Sequence, residues 1–291
     1  MNKLSPERRA AVIKALIDGA SVRAACRMTG TAKGTVTRLL VELGDACRRF
    51  HDETVRNVAA QRVQCDEIWS FVGCKQKNVR PERAQHETLG DLWTWVGMDA
   101  ETKLAIAYRV GARNPETAGA FVRDLAARLA NRIQLTTDGN NLYLEAVAGA
   151  FHYDVDYAML VKLYGSAAEE VETARYSPPR CVGCRKHWIS GRPAERHVST
   201  SYVERQNLTM RMQMRRFTRL TNAFSKKADN HAAAVALHFL HYNFCRVHQT
   251  LTKRNGGIHC TPAMAAGLTT YVWTAADIVA LLDRPTLRLA S

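Results

Sequence analysis

No run of about 18 consecutive apolar residues occurs in this 291-residue chain, and no charged-then-apolar leader opens it. Those two absences predict a protein that neither spans a membrane nor is exported, so the cytoplasm is the compartment to expect. Cysteine is sparse. Eight residues scattered along the whole length make no disulfide framework and read as reduced thiols. Acidic residues are in deficit, with 27 Asp+Glu against 41 Lys+Arg and a formal charge of +14. That imbalance favours a polyanionic partner over a small acidic substrate, the plain alternative being a solvated basic surface. The length suffices for one full core and an appended module.

The first 45 residues read as three short helices. Ser5-Pro6-Glu7 is a start signal, with Ser as N-cap and Pro at the first helical position. Val12, Ile13, Leu16 and Ile17 make one apolar face, which stops at Asp18-Gly19. Ser21 caps a second helix from Val22 to Met28, Thr29-Gly30-Thr31 makes a tight turn, and a third helix runs from about Lys33 to Leu43. This is the helix-turn-helix pattern, although a plain three-helix packing unit has the same outline. Thr31, Lys33, Thr35, Thr37 and Arg38 decorate the leading end of the third helix, with short polar and basic side chains suited to base edges or phosphates. Residues 46–61 read as a helical linker.

From residue 62 the period changes. Val63 to Val72, Trp93 to Met98 and Leu104 to Val110 read as strands, and Asn114-Pro115-Glu116 opens a helix. A short strand from Arg132 to Thr136, a helix from Leu142 to Ala150 and a strand from Tyr157 to Tyr164 follow. The order strand-strand-strand-helix-strand-helix-strand is that of the RNase H-like fold, an α/β (α+β) arrangement. Asp66 then lies on the first strand and Asp138 just after the fourth. Alternation puts Asp66 and Glu67 on opposite faces, so only one faces a site; Glu67 is expected to face solvent or pair with an Arg. A third acid, Glu204, opens a helix from about Tyr202, capped from Ser199-Thr200-Ser201, with Asn207, Leu208, Arg211 and Arg215 at helical spacing. The surrounding stretch 196–254 holds 11 Lys/Arg against 2 acids, a local excess of +9. Carboxylates within so basic a chain suit divalent metal and phosphodiester chemistry on DNA.

Several stretches carry a resemblance. They are Val63-Gln64-Cys65-Asp66-Glu67-Ile68-Trp69, Leu135-Thr136-Thr137-Asp138-Gly139, Ser199 to Thr209 around Tyr202-Val203-Glu204-Arg205-Gln206-Asn207, Phe217 to Ser225, Tyr242-Asn243-Phe244-Cys245-Arg246-Val247-His248 and Thr261-Pro262-Ala263-Met264. With them the chain resembles a bacterial insertion-sequence transposase of the DDE type, of the insertion sequence one family and its single-frame relatives. The resemblance implies a retroviral-integrase-like catalytic domain over residues 62–265, behind a helix-turn-helix at 1–45. It implies Asp66, Asp138 and Glu204 as metal ligands for Mg, with Mn as substitute. Terminal inverted repeats and target DNA are the implied double-stranded partners of a homo-oligomer at the nucleoid, with Arg205, Asn207, Arg211, Arg215, Arg216, Arg246 and His248 near the substrate. Two other readings stand beside it: an RNase H-like nuclease that cuts without joining, and a helix-turn-helix regulator whose larger domain only dimerises.

Two features depart from the family pattern. Sixty-five residues separate Asp138 from Glu204, far more than in compact members, and the excess is read as an insertion loop at 166–198. The cysteine-rich finger of the founding members is missing from the N-terminal region. Cys181, Cys184, His187 and His197 have a spacing that zinc can use, yet a single CxxC is a weak signal, and two free thiols in a surface loop are the expectation. Trp188, in that loop, is the one tryptophan suited to stacking on a base. Residues 266–291 read as a C-terminal helix that packs on the catalytic domain or on a partner subunit.

Overall fold

The computed structural model describes residues 4–80, 82, 89–164, 181–218 and 222–284. Helices α1 (Pro6–Ile17), α2 (Val22–Thr29) and α3 (Lys33–Thr54) come first. The Ser5 and Ser21 hydroxyls accept from Arg8 N and Ala24 N, so both predicted caps form. Gly30 ends α2 at φ 62°, a left-handed turn that leads into α3. Val12, Ile13, Ala25, Val36, Leu39 and Leu40 are buried between the three helices.

The sequence predicts a break near residue 44, but α3 is one helix of 22 residues. Leu43, Ala46, Cys47 and Phe50 continue its apolar stripe without interruption. Gly44 does not end the helix; it lets α7 (Ala228–Leu240) approach, and a Cβ there would lie 2.4 Å from the Ala233 Cβ. The N-terminal module is thus fixed to the rest of the chain through the continuation of its own third helix.

Six strands follow: β1 (Arg62–Val72), β2 (Gly90–Asp99), β3 (Ala105–Gly111), β4 (Gln134–Asp138), β5 (Asp156–Tyr164) and β6 (Cys181–Ser190). They form one sheet in the order β3-β2-β1-β4-β5-β6. The first three are antiparallel, β4 and β5 run parallel to β1, and β6 is antiparallel to β5. The first five make the RNase H-like arrangement that the sequence order predicts. The sixth corrects the predicted loop at 166–198, for its C-terminal part is an edge strand. Alternating exposure is faint there, so the period-two signal is weak. The start of that loop, with Pro178-Pro179, lies outside the described residues.

Helices α4 (Pro115–Ala126) and α5 (Leu142–Phe151) cover one face of the sheet, over Cys65, Trp95, Phe121, Leu135 and Tyr143. Helix α6 (Ser201–Gln213) and α7 cover the other, over Ile68, Val96, Met98, Val203, Met210 and Phe239. A π-helical turn at His241–Cys245 extends α7, and buried Asn243 exchanges two 3.0 Å hydrogen bonds with the Ala105 backbone. Short helices α8 (Gln249–Arg254), α9 (Pro262–Ala265) and α10 (Ala275–Ala280) close the described chain. The C-terminal segment packs on the N-terminal module: α10 lies against α1 and α3, and Trp273 is wedged between the rings of Phe50 and Phe244.

Candidate active site

Alternation along β1 sorts its side chains between the two helical layers. Toward α6 point Gln64, Asp66 and Ile68. The Gln64 Oε1 accepts from the backbone N–H groups of Tyr202 and Val203 at 2.8 and 3.2 Å, so it caps α6 from the strand. Of the expected capping segment Ser199-Thr200-Ser201, Ser199 Oγ accepts from Ser201 N at 3.2 Å, whereas Thr200 turns its hydroxyl to Glu204 Oε1. One turn further along α6, Asn207 Nδ2 donates to Asp66 Oδ2 at 2.9 Å.

Glu67 points the other way, and it is not solvent-facing. Its side chain is 2% exposed and accepts from Arg113 Nε at 2.8 Å, Asn140 Nδ2 at 2.7 Å and the Tyr143 hydroxyl at 3.2 Å. The expected Arg pairing is present, but inside the protein. Asp138 is the last residue of β4, one position beyond the Cys65–Thr137 register pair, and its Oδ1 accepts from Asn140 N. Asp66, Glu67 and Asp138 each offer an oxygen within 4.8 Å of the others. Glu204 lies close enough for its charge to act on both aspartates, yet its carboxylate is held by Thr200 and by the Lys162 ammonium of β5.

The electrostatics reflect this crowding. Burial, followed by the charges of Asp138 and Glu67, pushes the Asp66 carboxyl up to about 7. Burial and Glu67 push Asp138 up to about 6, against the Asn140 hydrogen bond and the Arg113 charge. Two carboxyls are thus pushed up beside a third that accepts three hydrogen bonds. Hard oxygen donors held together at such a cost suit a divalent cation, which would relieve the repulsion. The buried Oδ1 of Asn207, beside Asp66, has no hydrogen-bond partner among the described residues, a further sign of a place for a ligand.

The residues expected to touch DNA are distributed unevenly. Lys33 and Arg38 are exposed and Thr35 and Thr37 half-buried, but Thr31 is buried with its hydroxyl donating to the Thr29 carbonyl. It serves the turn and cannot read bases. Asn207 is likewise corrected from phosphate contact to partner of Asp66. Arg205 and Arg215 are exposed, Arg211 is half-buried, and Arg216 is largely enclosed with Nη1 donating to Ser225 Oγ. Lys33, Thr37, Arg215 and Arg216 line one cavity of about 800 Å³ between α3 and α7, together with Lys226 and Lys227. Arg246 and His248 are half-buried near Lys103 and Arg254, with Arg246 Nη1 and His248 Nδ1 lacking hydrogen-bond partners among the described residues.

Cys181 and Cys184 are exposed free thiols on β6, whereas His197 turns its Nδ1 to Arg62, so the four residues weighed for zinc do not form one cluster. Trp188 is 55% exposed on the same strand. Sequence reasoning missed Gln64, the interior role of Glu67, and Lys162. A signal existed for the last: Lys162 is the one cation in the strand Asp156–Tyr164, two residues beyond Leu160, the β5 partner of Asp138.

The sheet order, with Asp66 inside β1 and Asp138 at the end of the adjacent β4, defines an RNase H-like arrangement with a carboxylate centre. No protein-family model matches the chain. It is similar to the insertion element iso-IS1n protein InsB of Shigella dysenteriae, with 26% identity over 174 residues, or 59% of this chain and 88% of that one. The resemblance read from the motifs thus has a curated counterpart over most of the relative's length. Two solved structures are remotely similar. A piggyBac transposase synaptic complex with hairpin DNA has a TM-score of 0.44 and 12% identity, over 99% of this chain and 75% of that one. The Mos1 strand transfer complex has a TM-score of 0.24 and 13% identity, over 82% and 77%. Likenesses this remote carry nothing about activity. Among the described residues, no helix is long and apolar enough to cross a membrane.

Proposed function

We propose that the chain is a DDE-type transposase that binds the ends of its insertion sequence and catalyses metal-dependent DNA cleavage and strand transfer. The observation that carries this reading is the proximity of Asp66 and Asp138 on adjacent parallel strands, with both carboxyls raised toward neutrality by burial and by neighbouring carboxylates. Similarity to an insertion-element protein supports it.

Asp66 and Asp138, with Glu204 from α6, would hold Mg²⁺ or Mn²⁺. When bound, the metal supplies Lewis-acid activation of the attacking oxygen and charge stabilisation of the leaving one. The chain's own residues do the rest. Glu67, saturated by Arg113, Asn140 and Tyr143, is a buttress that fixes the loop after β4 and thereby the position of Asp138. Asn207 orients Asp66 by holding one of its oxygens. Lys33 and Arg38 on α3, with Arg205 and Arg215, would meet the polyanion. Water then displaces the 3′ oxygen at phosphorus, and the freed 3′-OH repeats the displacement on the target strand.

The test is a cleavage and joining assay on duplexes carrying the DNA ends that flank the coding sequence. Wild type should release 3′-OH ends and join them to target DNA only with Mg²⁺ or Mn²⁺. Cleavage without joined product would leave the nuclease reading, and specific binding with neither product would leave the regulator.

A further inference from the structure

The carboxylate expected to complete the metal site is already occupied by a cation of the chain. The Lys162 ammonium sits on Glu204 Oε2, while Thr200 takes Oε1, so both oxygens of the third acid are engaged. Glu204 accordingly falls outside the group of oxygens formed by Asp66, Glu67 and Asp138. Both partners are about one-third exposed, at 31% and 35%, so the pair can open without unfolding its surroundings. Lys162 is anchored on β5, whose neighbour β4 carries Asp138, whereas Glu204 rides on α6. The ion pair therefore bridges the sheet and the helix that must meet at the site. Cys184 is the register partner of Lys162 on β6 and brings no acid to compete for it.

From this arrangement we infer that Lys162 is a placeholder cation: it positions Glu204 and must be displaced before Glu204 can ligate metal. The inference rests on the proposed metal role of Asp66, Asp138 and Glu204, and it adds a residue that sets the affinity of that site. A fixed positive charge beside the centre opposes an incoming divalent ion, and its ion pair with Glu204 has to be broken as well. Both effects have the same sign. Removing one unit charge at this range is worth at least about tenfold in an equilibrium constant.

The decisive measurement is Mn²⁺ binding to the full-length, DNA-free protein, read by electron paramagnetic resonance of free Mn²⁺. Wild type, K162M, E204Q and the K162M/E204Q double variant form a cycle, with thermal melts to establish folding. K162M is expected to bind Mn²⁺ about tenfold more tightly than wild type, and E204Q more weakly. In the E204Q background, K162M should keep the part of its gain that comes from the removed charge and lose the part that comes from the broken ion pair, so its effect should be measurably smaller than in wild type. K162R, which keeps the charge, should bind as wild type does. If K162M fails to tighten binding while E204Q weakens it, the placeholder role is overturned and the ligand reading survives. If E204Q leaves Mn²⁺ binding unchanged, Glu204 is no ligand and both fall.

Discussion

Asn207 on α6 holds Asp66 on β1 by a 2.9 Å hydrogen bond between residues 141 positions apart in the chain. Asn207 is 6% exposed, so its amide is committed to the carboxylate and cannot sit on a DNA backbone. Asn207→Ala should therefore lower stability by about 1–3 kcal/mol, since it strips a partner from an enclosed acidic group. Urea unfolding measures the loss. A variant of unchanged stability but weakened DNA affinity would restore the phosphate role and remove the positioning one.

Asp138→Asn keeps the size of the side chain and removes its charge. It should abolish metal-dependent strand breakage and leave DNA binding near wild type. In the metal-free protein it should also stabilise. Asp138 and Asp66 have folded pKa values of about 6 and about 7, above their ordinary value, so the folded state binds more protons than the unfolded state from about pH 4 to 7. Their contribution to stability falls as pH rises through that window. The stabilisation by Asp138→Asn should thus be small at pH 4.5 and larger at pH 8, about 1–3 kcal/mol at most, read as unfolding free energy at each pH. Saturating Mn²⁺ should erase it.

Gly44→Ala sets two effects against each other. Helix propensity favours Ala by about 1 kcal/mol in the interior of a helix. The added Cβ, however, would stand 2.4 Å from the Ala233 Cβ and 2.8 Å from the Ala233 carbonyl oxygen, in the seam between α3 and α7. Overpacking costs of about 1–3 kcal/mol outweigh the propensity gain. The variant should melt lower than wild type. A higher Tm would mean that the two helices separate readily.

Sequence preference is expected to rest on the exposed start of α3, and here deletion is the wrong experiment. Removing residues 1–45 would cut α3 in two and strip the surfaces that hold α10, so unfolding would mask any effect on recognition. Lys33→Gln combined with Thr37→Ala leaves the packing face of α3 intact. This pair should lose preference for the element's ends over scrambled duplex while nonspecific affinity falls only slightly, because base-edge contacts discriminate and phosphate contacts do not. Arg205→Gln with Arg215→Gln should do the opposite and reduce the salt dependence by about one counterion per lost phosphate contact. Binding isotherms on both duplexes at several salt concentrations separate the outcomes.

Local patterns in the sequence determined much of this. The change from helical to alternating period at residue 62, the capping serines, and the strands that carry Asp66 and Asp138 follow from short-range sterics and amphipathicity, which a linear reading captures. Those patterns place Asp66 and Asp138 on their strands. What they could not decide is which groups those acids meet, because partners are assigned by packing between elements far apart in sequence. The side of β1 that Glu67 faces is chosen by α4 and α5, which supply Tyr143 and, with the adjoining loops, Arg113 and Asn140. Continuity of α3 through Gly44 is decided by α7 pressing on it, since a lone glycine reads equally well as a stop or as a close contact. The ion pair that occupies Glu204 joins β5 to α6 across the long insertion. Only the closed sheet brings that lysine to that carboxylate.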